Sequence, residues 1–413
     1  MSRRTDMLGK TNTLMVLLVV ALALALAGAC GSEEAQGNGK KGGSEEAQEK
    51  KTAQAASDQG SGGDLTYIGS KPKLVYGTSY VGPLTEIFGD VYIGDKDFVA
   101  SNSVMRAAPG NRVEIGDKSN VQDNVTVRGY QDSVTVGDRT SLTHHAVVED
   151  SDVGDAVFVG YGSEIRNSEV GGGSFIYHGA RIEGVKIPEK SFVGPGEVVD
   201  DQETADGLPK TDEVDLGKYY DKKEHLDTNT EFAEAYIDLF EEEGYDAVVE
   251  VGPNPKTSWN SRQVEPEIGK NVELQAFSRV TGDVKIGENS SVGRRTAIRA
   301  DEGDPISIGP GAAIDDRVTM HATRDSAVEI GKFLVASDDS VLHGPLKMGD
   351  RNFVGENAVV FRAKVGDDVQ IGEGAVVVGP AGKGPLLEIP EGTLVPADAV
   401  VTSEKDVQAL KEG

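Results

Sequence analysis

Two histidines and a run of charged residues share one stretch of this 413-residue chain. Arg299-Ala300-Asp301-Glu302-Gly303 is followed by His321 and then by His343-Gly344-Pro345. Imidazole nitrogens bind divalent metals, a carboxylate can carry a proton to or from a reacting group, and a guanidinium pairs with carboxylates. A histidine taken singly is more often structural than a ligand. His321 and His343 differ in that each falls in register within a motif. Hexads of the type aliphatic-Gly-x-x-small-aliphatic run through the same stretch, at Ile308-Gly309, Ile330-Gly331 and Met348-Gly349. What these side chains can do together depends on what the hexads build.

From about Tyr67 short aliphatic runs are punctuated by Gly and Asp every six residues or so. Val91-Tyr92-Ile93-Gly94-Asp95, Val113-Glu114-Ile115-Gly116-Asp117 and Val134-Thr135-Val136-Gly137-Asp138 are examples. A period of six with aliphatic-Gly at the corner is the hexapeptide signature of a parallel β-helix. Sandwich strands would repeat at roughly 8–12 residues instead. The array occurs twice. Val104-Met105-Arg106-Ala107-Ala108-Pro109-Gly110 through Val121-Gln122-Asp123 matches Ala297-Ile298-Arg299-Ala300-Asp301-Glu302-Gly303 through Ile314-Asp315-Asp316, at an offset of 193 residues and 194 further along. The expected fold is all-β, with two parallel β-helix domains near 65–210 and 252–413 and a connecting segment, 211–251. Within that segment Glu231 to Glu243 places Phe232, Tyr236, Leu239 and Phe240 on one helical face, and Gly244 ends the helix.

Arg-x-Asp-Glu-Gly, a lone His about twenty residues on and a His-Gly-Pro another twenty on resemble the γ-class carbonic anhydrases. The resemblance covers roughly 65–413 and is closest in the second copy. It implies left-handed β-helices, a homotrimer and a metal at each subunit interface, held by two histidines of one subunit and one of its neighbour. It also implies a C-terminal helix along the outside of the β-helix, which the segment 231–243 would supply for the first copy. The second copy stops at Gly413 before any comparable helix.

The ligand positions split between the copies. In the second they match His321 and His343, with Asp338 at the middle position. In the first they match Arg128 and Glu149, with His144 in the middle. Joining a second copy to a first would give His321, His343 and His144, three imidazoles with an open fourth position. A ring of second copies would give His321, His343 and Asp338, a set suited to Zn²⁺ or Fe²⁺. Homo-oligomers are usually closed and symmetric, and a three-membered ring cannot alternate two kinds of domain, so separate rings are expected. By the same resemblance Glu302 matches an acid that shuttles protons or holds bicarbonate. Arg299, Asp301 and Asp316 match residues that pair across the interface, and Asp315 replaces a Gln that hydrogen-bonds near the bound water. In the first copy Ala108 and Pro109 stand in place of Asp-Glu, a cation at 128 opposes a metal, and Arg128 with Glu149 could form a salt bridge instead.

The ends of the chain carry a different signal. Arg3, Arg4 and Lys10 precede an apolar run from Leu14 to Leu26 and Ala27-Gly28-Ala29-Cys30. That is the order of a secretory signal, too short for a membrane span, and it resembles a bacterial lipoprotein signal with Cys30 lipidated. Gly31 to Asp64 is low in complexity, lacks any aliphatic residue larger than Ala, and reads as a flexible tether. The expected location is outside the cell, with the lipid on the outer face of the bacterial membrane as the only membrane contact. With a single cysteine no intramolecular disulfide can form, and a net charge of −28 argues against nucleic acid.

Three functions compete on these grounds. The first is reversible hydration of CO₂ to bicarbonate through a metal hydroxide. The second is a scaffold or binding protein that kept the fold and lost the chemistry, favoured by Asp338 and by the altered first copy. A hexapeptide acyltransferase shares the β-helix but not the paired motifs, and a fold does not fix a function.

Overall fold

The computed structural model describes residues 75–214, 222–380 and 384–411. The expected signal sequence, Cys30 and the tether lie outside the described residues. From Ser79 onward the strands are short and pair in parallel with the strand one coil away. The first copy is thus a three-sided prism. Face I runs from Ser79–Val81 through Phe98–Val99, Asn120–Val121, Ser141–Leu142, Phe158–Val159 and Phe175–Ile176 to Phe192–Val193. Face II runs from Glu86–Phe88 through Val104–Ala107, Thr126–Gly129, Val147–Glu149, Glu164–Arg166 and Arg181–Glu183 to Val198–Val199. Face III begins at Asp90–Ile93 and ends at Lys186–Ile187.

The second copy repeats this plan. Its face I runs from Glu273–Leu274 to Leu394–Val395, and its face II includes Arg279–Gly282, Ala297–Ala300, Thr319–His321 and Val376–Val378. Two longer strands, Val341–Met348 and Val359–Val365, pass through a corner and join faces II and III into one sheet.

The hexad dictates this shape locally. In each two-residue strand of face I one side chain points in, so Val99, Val121, Leu142, Val159, Ile176 and Val193 stack as a fully buried ladder. Each such burial contributes about 1.5–3 kcal/mol. The recurring Gly-Asp pair has two causes. A Cβ on Gly116 would lie 2.7 Å from the amide nitrogen of Asp138 on the next coil, so only Gly fits. The carboxylate of Asp138 in turn accepts the N–H of Asp117 at 2.9 Å, and Asp117 accepts that of Asp95 at the same distance. Other corners hold left-handed residues, Asn102, Asn124 and His145 in the first copy and Arg295, Arg317 and Asp339 at the matching positions of the second.

The connecting helix spans Lys222–Glu243, nine residues longer at its start than the amphipathic stretch. Residues 222–230 carry no apolar stripe, so periodicity could not reveal them. Phe232, Tyr236 and Leu239 pack on Tyr80 and Phe98 of face I, and the second copy ends in a helix of only six residues, Glu404–Ala409.

The two copies also pack on each other. Phe158, Phe175 and Phe192 of the first copy's face I, with Tyr161 and Tyr177 at its corner, bury against Val341, Val359, Val376 and Val378 of the second copy's face II. The expectation of separate first-copy and second-copy rings is therefore corrected. The chain joins its own two halves, because face I of one half is apolar and aromatic where face II of the other presents a ladder of valines.

Candidate metal centre

His321 and His343 sit on face II of the second copy, in register with Arg299 on adjacent strands. Parallel pairing spaces such residues by about 4.8 Å, which brings side chains 22 residues apart into one column. His144 comes from the first copy, in the turn after Ser141–Leu142, and is fully buried. The joint brings the three together. His144 Nε2 lies 3.1 Å from His321 Nδ1, and the ligand atoms of all three histidines lie within 4.8 Å of one another.

The outward-facing nitrogens fix the tautomers. His144 Nδ1 faces the carboxylate of Asp123 at 3.4 Å, His321 Nε2 faces that of Asp301 at 3.3 Å, and His343 Nδ1 donates to the carbonyl of Gly344 at 2.8 Å. Each acceptor calls for a proton on the nitrogen it faces, which leaves lone pairs on His144 Nε2, His321 Nδ1 and His343 Nε2. Two lone pairs 3.1 Å apart repel unless a cation lies between them. Two nitrogens at 2.0–2.1 Å from a tetrahedral zinc would be about 3.3 Å apart. The donor set fits a divalent metal, and it carries the outer acceptors that orient metal-bound imidazoles.

Arg299 holds those acceptors. Its Nε donates to Asp123 at 2.7 Å and its Nη1 to Asp301 at 2.6 Å, and the Tyr236 hydroxyl of the connecting helix donates to Asp301 at 2.5 Å. Burial alone would raise both carboxyls. The guanidinium and the adjoining histidines override it, bringing Asp123 down to about 2 and Asp301 well below the usual carboxylate range. Burial lowers all three imidazoles, His144 to about 3 and His343 well below its ordinary value, with the neighbouring histidines adding to the effect on both. Neutral ligands beside two anions and one guanidinium leave a place for positive charge.

Glu302 is buried with a carboxyl oxygen 3.8 Å from His321 Nε2. Burial, and then the charge of Asp301, push it up to about 8. Tyr161 stacks on His343 with ring centres 4.7 Å apart and planes within 20°, and Phe361 meets the imidazole edge-on at 5.3 Å and Tyr161 edge-on at 5.7 Å.

Three of the expected residues lie elsewhere. Asp338 is exposed and accepts the N–H of Asp316 at 2.9 Å, and Asp316 accepts that of Arg294 at 2.7 Å. Both are rungs of a corner ladder on face I of the second copy, which has no part in the joint. Asp315 is exposed beside them. Asp338 is thus no member of the histidine cluster, and the partner of Arg299 across the joint is Asp123 rather than Asp316. Gln122, in the position matching Asp315, accepts the backbone N–H of His144 at 3.3 Å. The register of Val121-Gln122-Asp123 with Ile314-Asp315-Asp316 carried the signal for both residues. In the first copy Arg128 stands 4.0 Å from Glu149, and Arg166 is closer to it at 3.2 Å.

No protein-family model matches the chain. A carbonic anhydrase of Methanosarcina thermophila is 32% identical over 178 residues, covering 38% of this chain and 69% of the relative. The chain belongs to the γ-class carbonic anhydrase family. Another relative, the carboxysome assembly protein CcmM of Nostoc sp., is 31% identical over 168 residues, covering 38% of this chain but only 29% of that protein's length. Among solved structures, a hexapeptide transferase family protein from Anaplasma phagocytophilum aligns at 20% identity and a TM-score of 0.30, covering 41% of this chain and 90% of that one, too slight a likeness to bear on function. In this γ-class chain the centre is built from both copies of one polypeptide.

The buried imidazoles set a pH dependence. Above about pH 6.5 they are neutral in folded and unfolded chains alike. Below it the unfolded chain binds protons that His144, held down to about 3, refuses, so stability falls as pH drops from about 6.5 towards 3. Asp123, with a depressed folded value of about 2, adds its own loss only below about pH 4. Denaturant midpoints of metal-free protein should fall across the first window and fall less steeply for the His144→Gln, His343→Gln variant. Identical slopes would refute the neutral, buried triad.

Proposed function

We propose that this γ-class protein catalyses the reversible hydration of CO₂ to bicarbonate at a divalent metal, Zn²⁺ or Fe²⁺, held by His144, His321 and His343. The observation that carries the reading is the convergence of three buried imidazoles, their ligand nitrogens within 4.8 Å of one another and each far nitrogen facing a carboxylate or carbonyl oxygen. A bound metal would supply the Lewis acidity that makes water a nucleophile near neutral pH. The protein residues do the rest. Asp123, Asp301 and the Gly344 carbonyl aim the imidazoles, and Arg299 keeps the two carboxylates ionised and in place. Tyr161 and Phe361 wall off one side from bulk water. Glu302, raised to about 8, can take up and release a proton around neutral pH, within reach of the cluster.

The match to an assembly protein keeps a structural role as the second reading. Metal content separates the two. Purified chain is expected to hold one Zn²⁺ or Fe²⁺, lost together with CO₂ hydration in both His144→Ala and His343→Ala and kept in Asp338→Ala. A well-folded chain that takes up neither metal, or one that loses it in Asp338→Ala but not in His144→Ala, would exclude this centre. Replacing Glu302 by Gln should lower kcat by about 10²-fold while leaving metal content intact, with partial recovery on adding imidazole buffer. An unchanged kcat at low buffer would remove Glu302 from the proton path.

We also propose export and lipid anchoring through Cys30, supported by the order of charged, apolar and small residues before it. Labelling cells with radioactive palmitate should mark the chain in the membrane fraction, and the Cys30→Ser variant should carry no label. Label retained in that variant would contradict the anchor.

A further inference from the structure

The strand Arg279–Gly282 lies one coil before Ala297–Ala300 on face II of the second copy. Side chains alternate along it. Val280 points into the core, so Arg279 and Thr281 both point out, towards the joint. Both are buried there, Arg279 at 2% exposed and Thr281 at 0%. Thr281 is in register with Arg299, and Arg299 with His321, so the three stand in one column. At about 4.8 Å per strand, Thr281 is roughly 10 Å from the metal-binding histidine of that column.

Arg279 is a buried cation without an anion. An arginine is almost never fully buried unless it is paired. Arg299, on the next strand, holds two carboxylates at 2.7 and 2.6 Å. Arg279 has no carboxylate partner among the described residues. Its Nη1 donates to the carbonyl of Glu250 at 3.3 Å and its Nη2 to that of Ala247 at 3.5 Å. Both bonds are long beside the roughly 2.7–2.9 Å of a charge-assisted pair, and they use only part of the guanidinium's donors.

Thr281 repeats the pattern. Its Oγ1 is buried and has no hydrogen-bond partner among the described residues. Leaving a buried hydroxyl unpaired costs free energy that a ligand can return. The phenols of Tyr80, from face I of the first copy, and of Tyr236, from the connecting helix, are close enough to feel the charge of Arg279. Burial raises both phenols, and that charge only pulls against it. Phenols held up in this way stay neutral at ordinary pH, so neither is the missing anion. Ala247 is half-buried and Glu250 exposed, which sets the two unpaired groups between the histidines and solvent. In a chain of net charge −28, an uncompensated buried cation is the feature that can draw an anion in.

We propose that Arg279 and Thr281 form a bicarbonate site at the rim of the metal centre. The planar anion matches the fork of the guanidinium, as carboxylates do. Its own O–H can donate to Thr281 Oγ1, a contact that chloride cannot make. The site follows from the two unpaired groups; the choice of bicarbonate among planar oxyanions rests on the CO₂ chemistry proposed above. It gives that anion a place to stand on its way between the histidines and solvent.

Titrating the full chain with carbon-13-labelled bicarbonate at mildly alkaline pH, before and after chelation of metal, tests this through the NMR linewidth. The expected result is saturable broadening that survives chelation. Thr281→Val should weaken binding by about tenfold, the scale of one hydrogen bond to a charged group, without harming the fold, since it removes an unpaired hydroxyl. Arg279→Leu should abolish binding, and Arg279→Lys, which keeps the charge, should restore part of it, with near-ultraviolet circular dichroism as the check on folding. Broadening that vanishes on chelation, or that Thr281→Val leaves unchanged, would overturn the site. Full displacement by chloride at equal concentration would overturn its assignment to bicarbonate. A chain that binds bicarbonate here without hydrating CO₂ would refute the catalytic reading and keep the site. One that hydrates CO₂ but binds no bicarbonate after chelation would do the reverse.

Discussion

Arg299 is the interaction on which the rest of the structure turns. Its guanidinium lies in the joint between two β-helices and takes one carboxylate from each, Asp123 from the first copy and Asp301 from the second. Without it, two buried anions would face each other next to two imidazoles, and burial would favour protonating them. An Asp123 or Asp301 that carried a proton could donate to its histidine, the tautomers would no longer be fixed, and the lone pairs would cease to converge. Buried ion pairs of this kind add little net stability, but losing one partner is costly because the other charge is stranded. The same contact therefore holds the halves together and sets the electronic state of the ligands.

The complementary losses in the two copies follow from which surface each half uses. The joint needs only face I of the first copy and face II of the second. Gln122, Asp123 and His144 lie on the first of these, and Arg299, Asp301, Glu302, His321 and His343 on the second. Residues that changed lie on the other two surfaces: Arg128, Glu149, Ala108 and Pro109 on or beside one, Asp315 and Asp338 on the other. Asp338 has also been absorbed into the carboxylate ladder that secures successive corners, a role that an Asp can fill at any coil.

Much of this was legible in the residues themselves. The Gly-Asp hexads specify both the close approach of coils and the hydrogen bond that fastens them, so the β-helix and its duplication could be read directly. His321 and His343 follow from register within one copy, as does Arg299. The pairing of the copies was not legible, because it depends on shape and aromatic content spread over surfaces that are distant in sequence. Choosing between His144 and Asp338 needed that pairing, and so did deciding which of Asp123 and Asp316 meets Arg299. Tyr161 sits in an ordinary hexad, and only its stacking on His343 distinguishes it.

Carrying both halves of the centre on one polypeptide changes how it survives dilution. When two separate chains share a site, its occupancy falls with the concentration of subunits, and a chain released into a large volume loses its partner. Here the second half is supplied by a covalent tether running from Val199 to Val251, at a local concentration fixed by the length of that tether rather than by the surroundings. The intramolecular centre can assemble at vanishing protein concentration, a property suited to a molecule that works singly or sparsely.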